Sequence, residues 1–300
     1  MAAKIIAATA PCSWGVWFAN GGPSGTPWKV FLDGAAKSGY KALELGPDGY
    51  LPKDNEILKD ELSSRGMSIC AGTASVKFDQ YLNSKGIRKD LEPLCSRVAA
   101  LNASYLVVLD GSDVGEYSEK KAFIDSNSWK TYFTMIKELS EWTMDRYNIE
   151  TVFHPHVKSL IETEKEIVDL LDFCDINLCF DTGHYVYVNG GGKDGDSTVL
   201  DFIKKYSSRM VYFHFKNVSK AVLEKVRAEN KPSDTAFDLG VMCELEKGII
   251  DFTKLKQVLD LVNFEGVGVI ETDMPKAKAE TAFETAKRNL IHLKKINMVE

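Results

Sequence analysis

Eight times along this 300-residue chain, a short apolar run is followed by a stretch with helical spacing, in strict alternation. The runs are Ile5 to Ala8, Ala42 to Gly46, Met67 to Gly72, Ser104 to Leu109, Glu150 to His154, Leu178 to Phe180, Met210 to Phe215, and the segment that ends Val267-Gly268-Val269-Ile270-Glu271. Strands that alternate with helices lie parallel, because each helical crossover returns the chain to the same edge of the sheet. At this length the closed form of eight such units is the (β/α)8 TIM barrel, an α/β fold with residues 1–300 as a single domain. An open doubly wound sheet is the competing architecture, but no Gly-x-Gly-x-x-Gly follows the first run. Between the runs, Trp28 to Ser38 places Phe31, Leu32 and Ala35 on one helical face with Gly39 as its C-cap. The stretch from about Asn217 to Gly248 reads as irregular and charged.

The apolar fraction of 44% is enough for a substantial core. A net charge of −6 without a basic stripe argues against nucleic acid or an anionic membrane surface as partner. No stretch approaches the roughly 20 apolar residues of a membrane span. The opening Met1 to Ala8 is too short an apolar run for a signal peptide and leads into a strand, so a cytoplasmic protein is expected. Six cysteines without a CxxC pair, several of them inside apolar runs, are expected as buried reduced thiols.

Four runs end in the same kind of chemistry: Val152-Phe153-His154-Pro155-His156, Leu178-Cys179-Phe180-Asp181-Thr182-Gly183-His184, Val211-Tyr212-Phe213-His214, and the run closing at Glu271. In a barrel, the residues at the carboxyl ends of the strands converge on one mouth. His154, Asp181, His214 and Glu271 then offer one ligand from each of four consecutive strands, with Gly183 bending the backbone after Asp181. Two imidazoles and two carboxylates suit Mn²⁺ or Co²⁺ foremost, with Zn²⁺ or Fe²⁺ next, over Ca²⁺ or Mg²⁺. His154 and His156 stand two apart on an extended segment and share a face, so either could be the ligand and the other meet substrate. Lys216, two beyond His214, can polarise a carbonyl or enolate oxygen. Glu44 is a general acid or base, or a hydrogen-bond anchor. Trp14, Trp17 and Tyr50 near the mouth stack on a sugar ring or pack in the core. The Gly190-Gly191-Gly192 run reads as a flexible segment that closes over substrate. No Gly-x-Ser-x-Gly elbow is present.

The chain resembles the xylose isomerase-like barrels, a family of sugar isomerases, epimerases and cyclitol dehydratases, over nearly its whole length. The resemblance rests on Ser13-Trp14-Gly15-Val16, Leu43-Glu44-Leu45-Gly46, Phe153-His154-Pro155-His156, Asp181-Thr182-Gly183-His184-Tyr185-Val186-Tyr187, His214-Phe215-Lys216-Asn217 and Ile270-Glu271-Thr272-Asp273. The His-x-His form and the Asp-Thr-Gly-His-x-x-Tyr string look most like the inosose dehydratase branch. His154 stands where the wider family usually has Glu, and Asn217 where it usually has Asp. The resemblance implies proton abstraction beside a carbonyl with a metal stabilising the enediolate, catalysed by Lys216, His156 and Glu44. Trp14, His156, His184, Tyr187 and Lys216 are expected against a keto-sugar or keto-cyclitol such as 2-keto-myo-inositol. Expulsion of a β-hydroxyl makes the enzyme a dehydratase, and return of the proton to the neighbouring carbon makes it an isomerase or epimerase. Elimination-type cleavage of an oxidised glycoside and an inactive sugar-binding barrel are the further alternatives. A homo-oligomer is a further expectation, carried by the family alone.

Overall fold

A computed structural model describes residues 2–16, 25–112, 126–275 and 277–300. Strands β1 (Lys4–Thr9), β2 (Ala42–Glu44), β3 (Ser68–Val76), β4 (Tyr105–Asp110), β5 (Glu150–Phe153), β6 (Asn177–Asp181) and β7 (Met210–Phe215) stand side by side in chain order. The barrel strand after them is β10 (Glu265–Ile270), which pairs in parallel with both β7 and β1 and so closes the ring. The expected (β/α)8 barrel is therefore the observed fold. No described helix is long and apolar enough to cross a membrane.

The pleat sorts each strand's side chains between two layers. Outward residues such as Phe153, Leu178, Phe180, Phe213 and Phe215 join the main apolar cluster beneath the helices. Inward ones form a separate, smaller cluster of Ala8, Ala10, Ala42, Ala71, Val107, Val152, Cys179, Tyr212, Val267 and Val269. Most of these are small, and Tyr212 is the large one, packed edge-on against Tyr105 with ring centroids 5.2 Å apart. Along β7 the same parity carries Tyr212, His214 and then Lys216 from the barrel interior up to its mouth.

Two sequence expectations need correction. Thr182–Asn189 is a helix, α6 in a series that runs α1 (Trp28–Ser38), α2 (Asn55–Ser63), α3 (Ser84–Ala100), α4 (Ser126–Tyr147) and α5 (Glu164–Phe173) before it. Asp181 is its N-cap, with Oδ1 accepting from the His184 amide at 2.8 Å. Gly183 thus does not bend the chain. It lies where a Cβ would come 2.5 Å from Lys216 Cβ, so glycine is needed for the close approach of α6 to β7.

The stretch after β7 is also more regular than its composition suggests. A hairpin of β8 (Asn217–Val218) and β9 (Met242–Cys243) brackets two short helices, Lys220–Ala228 and Ser233–Asp238. Asn217 fastens the base of this excursion: Nδ2 donates to Leu245 O at 2.7 Å and Ile250 O at 2.9 Å, while Oδ1 accepts from Ile250 N at 2.9 Å. Gly248 packs so closely on this carboxamide that a Cβ there would meet it at 2.2 Å.

Candidate metal and substrate site

Each candidate ligand stands at or just past the end of its strand, pointing inward. His214 is oriented from beneath, because its Nε2 lies 2.9 Å from Glu44 Oε1. Glu44 also accepts from Tyr212 Oη at 2.9 Å and Thr73 Oγ1 at 2.9 Å. Against the upward push of burial, His214, Tyr212 and Thr73 hold this carboxyl below the usual carboxylate range. With Tyr212, Thr73 and His214 as hydrogen-bond partners beneath the mouth, the geometry favours the hydrogen-bond anchor over the general acid or base of the two expectations for Glu44.

The other face of His214 looks into the mouth. Its Nδ1 lies 3.2 Å from Glu271 Oε2 and 3.7 Å from Asp181 Oδ2. His154 Nε2 approaches the same Asp181 oxygen at 4.0 Å, and the His154 and His214 rings meet edge-to-face at 4.8 Å. Asp181 Oδ2 and His214 Nδ1 are buried polar atoms without a well-formed hydrogen bond. Imidazole nitrogens and carboxylate oxygens that face one another in this way, with Asp181 Oδ2 shared between His214, His154 and the Lys216 ammonium, fit a divalent transition ion. Burial would lift Asp181, but Lys216 and His184 hold it well below the usual carboxylate range. Burial alone would depress His214, yet Cys179, Glu271 and Glu44 lift it well above the usual imidazole range. His154 is depressed well below that range by burial and by His214.

Lys216 completes the cluster, its ammonium 3.0 Å from Asp181 Oδ2, 2.9 Å from Glu271 Oε2 and 3.0 Å from Asp273 Oδ2. Burial works against its charge, and these three carboxylates overcome it. The backbone at Lys216 is tied to α6 by Thr182 Oγ1, which accepts from Lys216 N at 3.0 Å. On the far side, Cys12 Sγ donates to Glu271 Oε1 at 3.1 Å.

His156 and His154 part company. His156 Nδ1–H donates to Val157 O at 2.7 Å, and its ring packs 4.0 Å from that of His184. Burial first, and Lys216 second, keep His156 below the usual imidazole range, so the neutral ring offers Nε2 as an acceptor. It lines a cleft of about 290 Å³ together with Val157, Lys158, Phe237, Asp273 and Pro275.

Not every expected residue reaches this cleft. Trp14 is fully buried outside the barrel, against Phe31 at 5.4 Å and Phe283 at 6.5 Å, so it is a core residue and not a sugar platform. Tyr50 is also buried, its hydroxyl donating to Thr26 O at 2.7 Å, and Trp17 lies outside the described residues. Tyr187 stands behind Phe237, with ring centroids 6.1 Å apart. The glycine run is pinned rather than loose, since Asp196 Oδ2 accepts from Gly191 N and Arg227 donates to Gly190 O at 3.2 Å. Conversely, Asp273, Cys12 and Phe237 were not singled out. Parity could have found the first two: Asp273 follows Glu271 by two, and Cys12 continues the inward series Ala8, Ala10. Phe237 had no such signal, because it sits in the excursion after β7.

Comparison with known proteins adds four findings. A family profile described as a xylose isomerase-like TIM barrel matches residues 32–296. The inosose dehydratase of Clostridium perfringens is 28% identical over 256 residues, covering 81% of this chain and 82% of that protein. Among solved structures, an IolI protein with a bound zinc atom superposes with a TM-score of 0.72 at 15% identity, covering 96% of this chain and 98% of its own. The D-allulose 3-epimerase of Methylomonas sp. superposes at 0.67 with 16% identity, covering 99% of this chain and 100% of its own, and at such identities both bear on the fold alone.

Proposed function

Because this chain belongs to the xylose isomerase-like TIM-barrel family, we propose that it is a divalent-metal-dependent lyase of the inosose dehydratase type, acting on a keto-cyclitol. The observation that carries this reading is the convergence of His154, Asp181, His214 and Glu271 beside Lys216 at the ends of four consecutive strands. His154 Nε2, Asp181 Oδ2, His214 Nδ1 and Glu271 Oε2 would hold the ion, with manganese or cobalt foremost and zinc or iron next. The ion supplies a Lewis acid for negative charge developing on the substrate's carbonyl oxygen. His214 stands above the usual imidazole range, so it would have to give up its Nδ1 proton to hold an ion there.

The chain's own groups do the rest. Lys216, cationic among its carboxylates, donates to the carbonyl or enediolate oxygen. His156, neutral and fixed through Nδ1, receives at Nε2 the proton from the carbon beside the carbonyl. Handing that proton to the departing β-hydroxyl gives dehydration. The cleft of about 290 Å³ suits a single ring better than a longer saccharide, and the neighbouring Phe237 supplies an apolar wall for the ring's C–H face. The dehydratase relative in Clostridium perfringens supports the keto-cyclitol, and supports lyase chemistry over isomerase or epimerase chemistry.

The reading is tested by elemental analysis of the purified protein and of its His214→Ala variant, followed by incubation with inosose and detection of the product that has lost water. Near-stoichiometric metal in the wild type, its loss in the variant, and a dehydrated product are expected. Failure of the wild type to take up metal even from Mn²⁺ or Co²⁺ would sink the proposal.

Glu44→Gln isolates the anchor. The carboxamide keeps the volume but loses the charge that faces His214 Nε2. Metal affinity is expected to fall about 10- to 100-fold, the usual cost of losing such a supporting group. Titration calorimetry reads this directly, and an unchanged affinity would remove Glu44 from the machinery.

A further inference from the structure

The Lys216 ammonium contacts the same two oxygens that the metal-dependent reading gives to the ion, Asp181 Oδ2 at 3.0 Å and Glu271 Oε2 at 2.9 Å. Its remaining partners lie to one side. Asp273 Oδ2 is 3.0 Å away and His184 Nε2 is 3.2 Å away, and these two are themselves 3.7 Å apart. His214, by contrast, has Glu44, Asp181 and Glu271 as its carboxylate neighbours. We propose that Asp273 is the positioning residue that lets Lys216 and a divalent cation share this site, by holding the ammonium when the cation takes Asp181 and Glu271.

Charge balance supplies the reason. The carboxylates that touch Nζ, Asp181, Glu271 and Asp273, bring three negative charges, which one ammonium and one divalent ion match, while Glu44 faces His214 on the other side. Without Asp273 the ammonium keeps only Asp181 and Glu271 as carboxylate partners, in a buried pocket where an unpaired charge is costly. The ammonium would then remain on Asp181 and Glu271 and compete with the ion. Reach is not an obstacle, since Asp273 follows Glu271 by two residues and all three carboxylates already touch Nζ. This inference rests on the metal-dependent reading and adds to it a role for Asp273 that acts only through Lys216.

The test is a double-mutant cycle on Mn²⁺ affinity, read by the electron paramagnetic resonance of free Mn²⁺ on metal-stripped protein. Asp273→Asn is near-isosteric, and its binding is expected to weaken about 10- to 100-fold. Lys216→Met is expected to bind Mn²⁺ at least as tightly as the wild type. In the Lys216→Met background, adding Asp273→Asn is expected to change affinity by no more than about twofold, the ordinary additivity error. Lys216→Gln replaces the Met variant if circular dichroism shows the latter unfolded. An equal loss in both backgrounds would overturn the proposal and make Asp273 a ligand in its own right, beside Cys12 and Glu271 with which it is clustered. Unchanged affinity in Asp273→Asn, with Mn²⁺ bound by the wild type, overturns this inference alone. No Mn²⁺ binding by the wild type overturns it together with the proposed function.

Discussion

Asp181→Ala is expected to abolish stoichiometric metal binding, to cut turnover of inosose on the order of 10²- to 10³-fold, and to lower stability at the same time. The two effects come from different oxygens of one side chain. Oδ2 faces His154, His214 and Lys216, while Oδ1 accepts from the His184 amide and caps α6. Loss of an N-cap costs about 1 kcal/mol. Asp181→Asn separates the roles, because asparagine caps a helix as well as aspartate does but brings no negative charge. Thermal melting of the Asn variant should stay close to the wild type, while metal content and turnover fall as far as in the Ala variant. Full metal occupancy in Asp181→Asn would show that the carboxylate charge at this position is not what holds the ion.

Tyr212→Ala should be the most damaging single change to stability, at about 3–5 kcal/mol, the range for truncating a large buried aromatic. The interior of the barrel is otherwise filled mainly by alanine, valine and cysteine, and these short side chains cannot collapse into the space of a phenol ring. A urea titration should show a lower midpoint with an unchanged slope. Tyr212→Phe keeps the ring and forfeits the hydroxyl's hydrogen bond to Glu44 and its weaker one with Cys70, so a cost of about 1 kcal/mol is expected. A loss below about 1 kcal/mol in the Ala variant would mean that the ring does not fill the barrel.

The barrel was legible because period and alternation are repeated eight times, and no local error could hide them. The cluster of His154, Asp181, His214 and Glu271 was legible for a related reason: the four residues occupy equivalent places in four consecutive units. What failed to show was anything that depends on which way a side chain turns once the strands are closed. Glu44 looks equivalent to Asp181 in the sequence, yet it sits on a strand across the barrel, where its carboxylate lies beneath His214 rather than beside His154 and Lys216. Trp14 is next to the mouth in the chain and outside the barrel in space, because the turn of Pro11–Trp14 swings its ring onto Phe31. The helices between Lys220 and Asp238 were missed for a third reason: at nine and six residues they are short, and their charged composition masked the Val222, Leu223 and Val226 stripe.

The Asn217 clasp makes the excursion after β7 a separable module. The chain leaves the barrel at Asn217 and returns at Ile250, and one carboxamide fastens both crossings. Everything between, including Phe237, hangs from the barrel at these crossings, while the register of β7 and β10 is set by their own pairing. A graft that replaces this segment and spares Asn217 and Gly248 is therefore expected to leave the barrel folded.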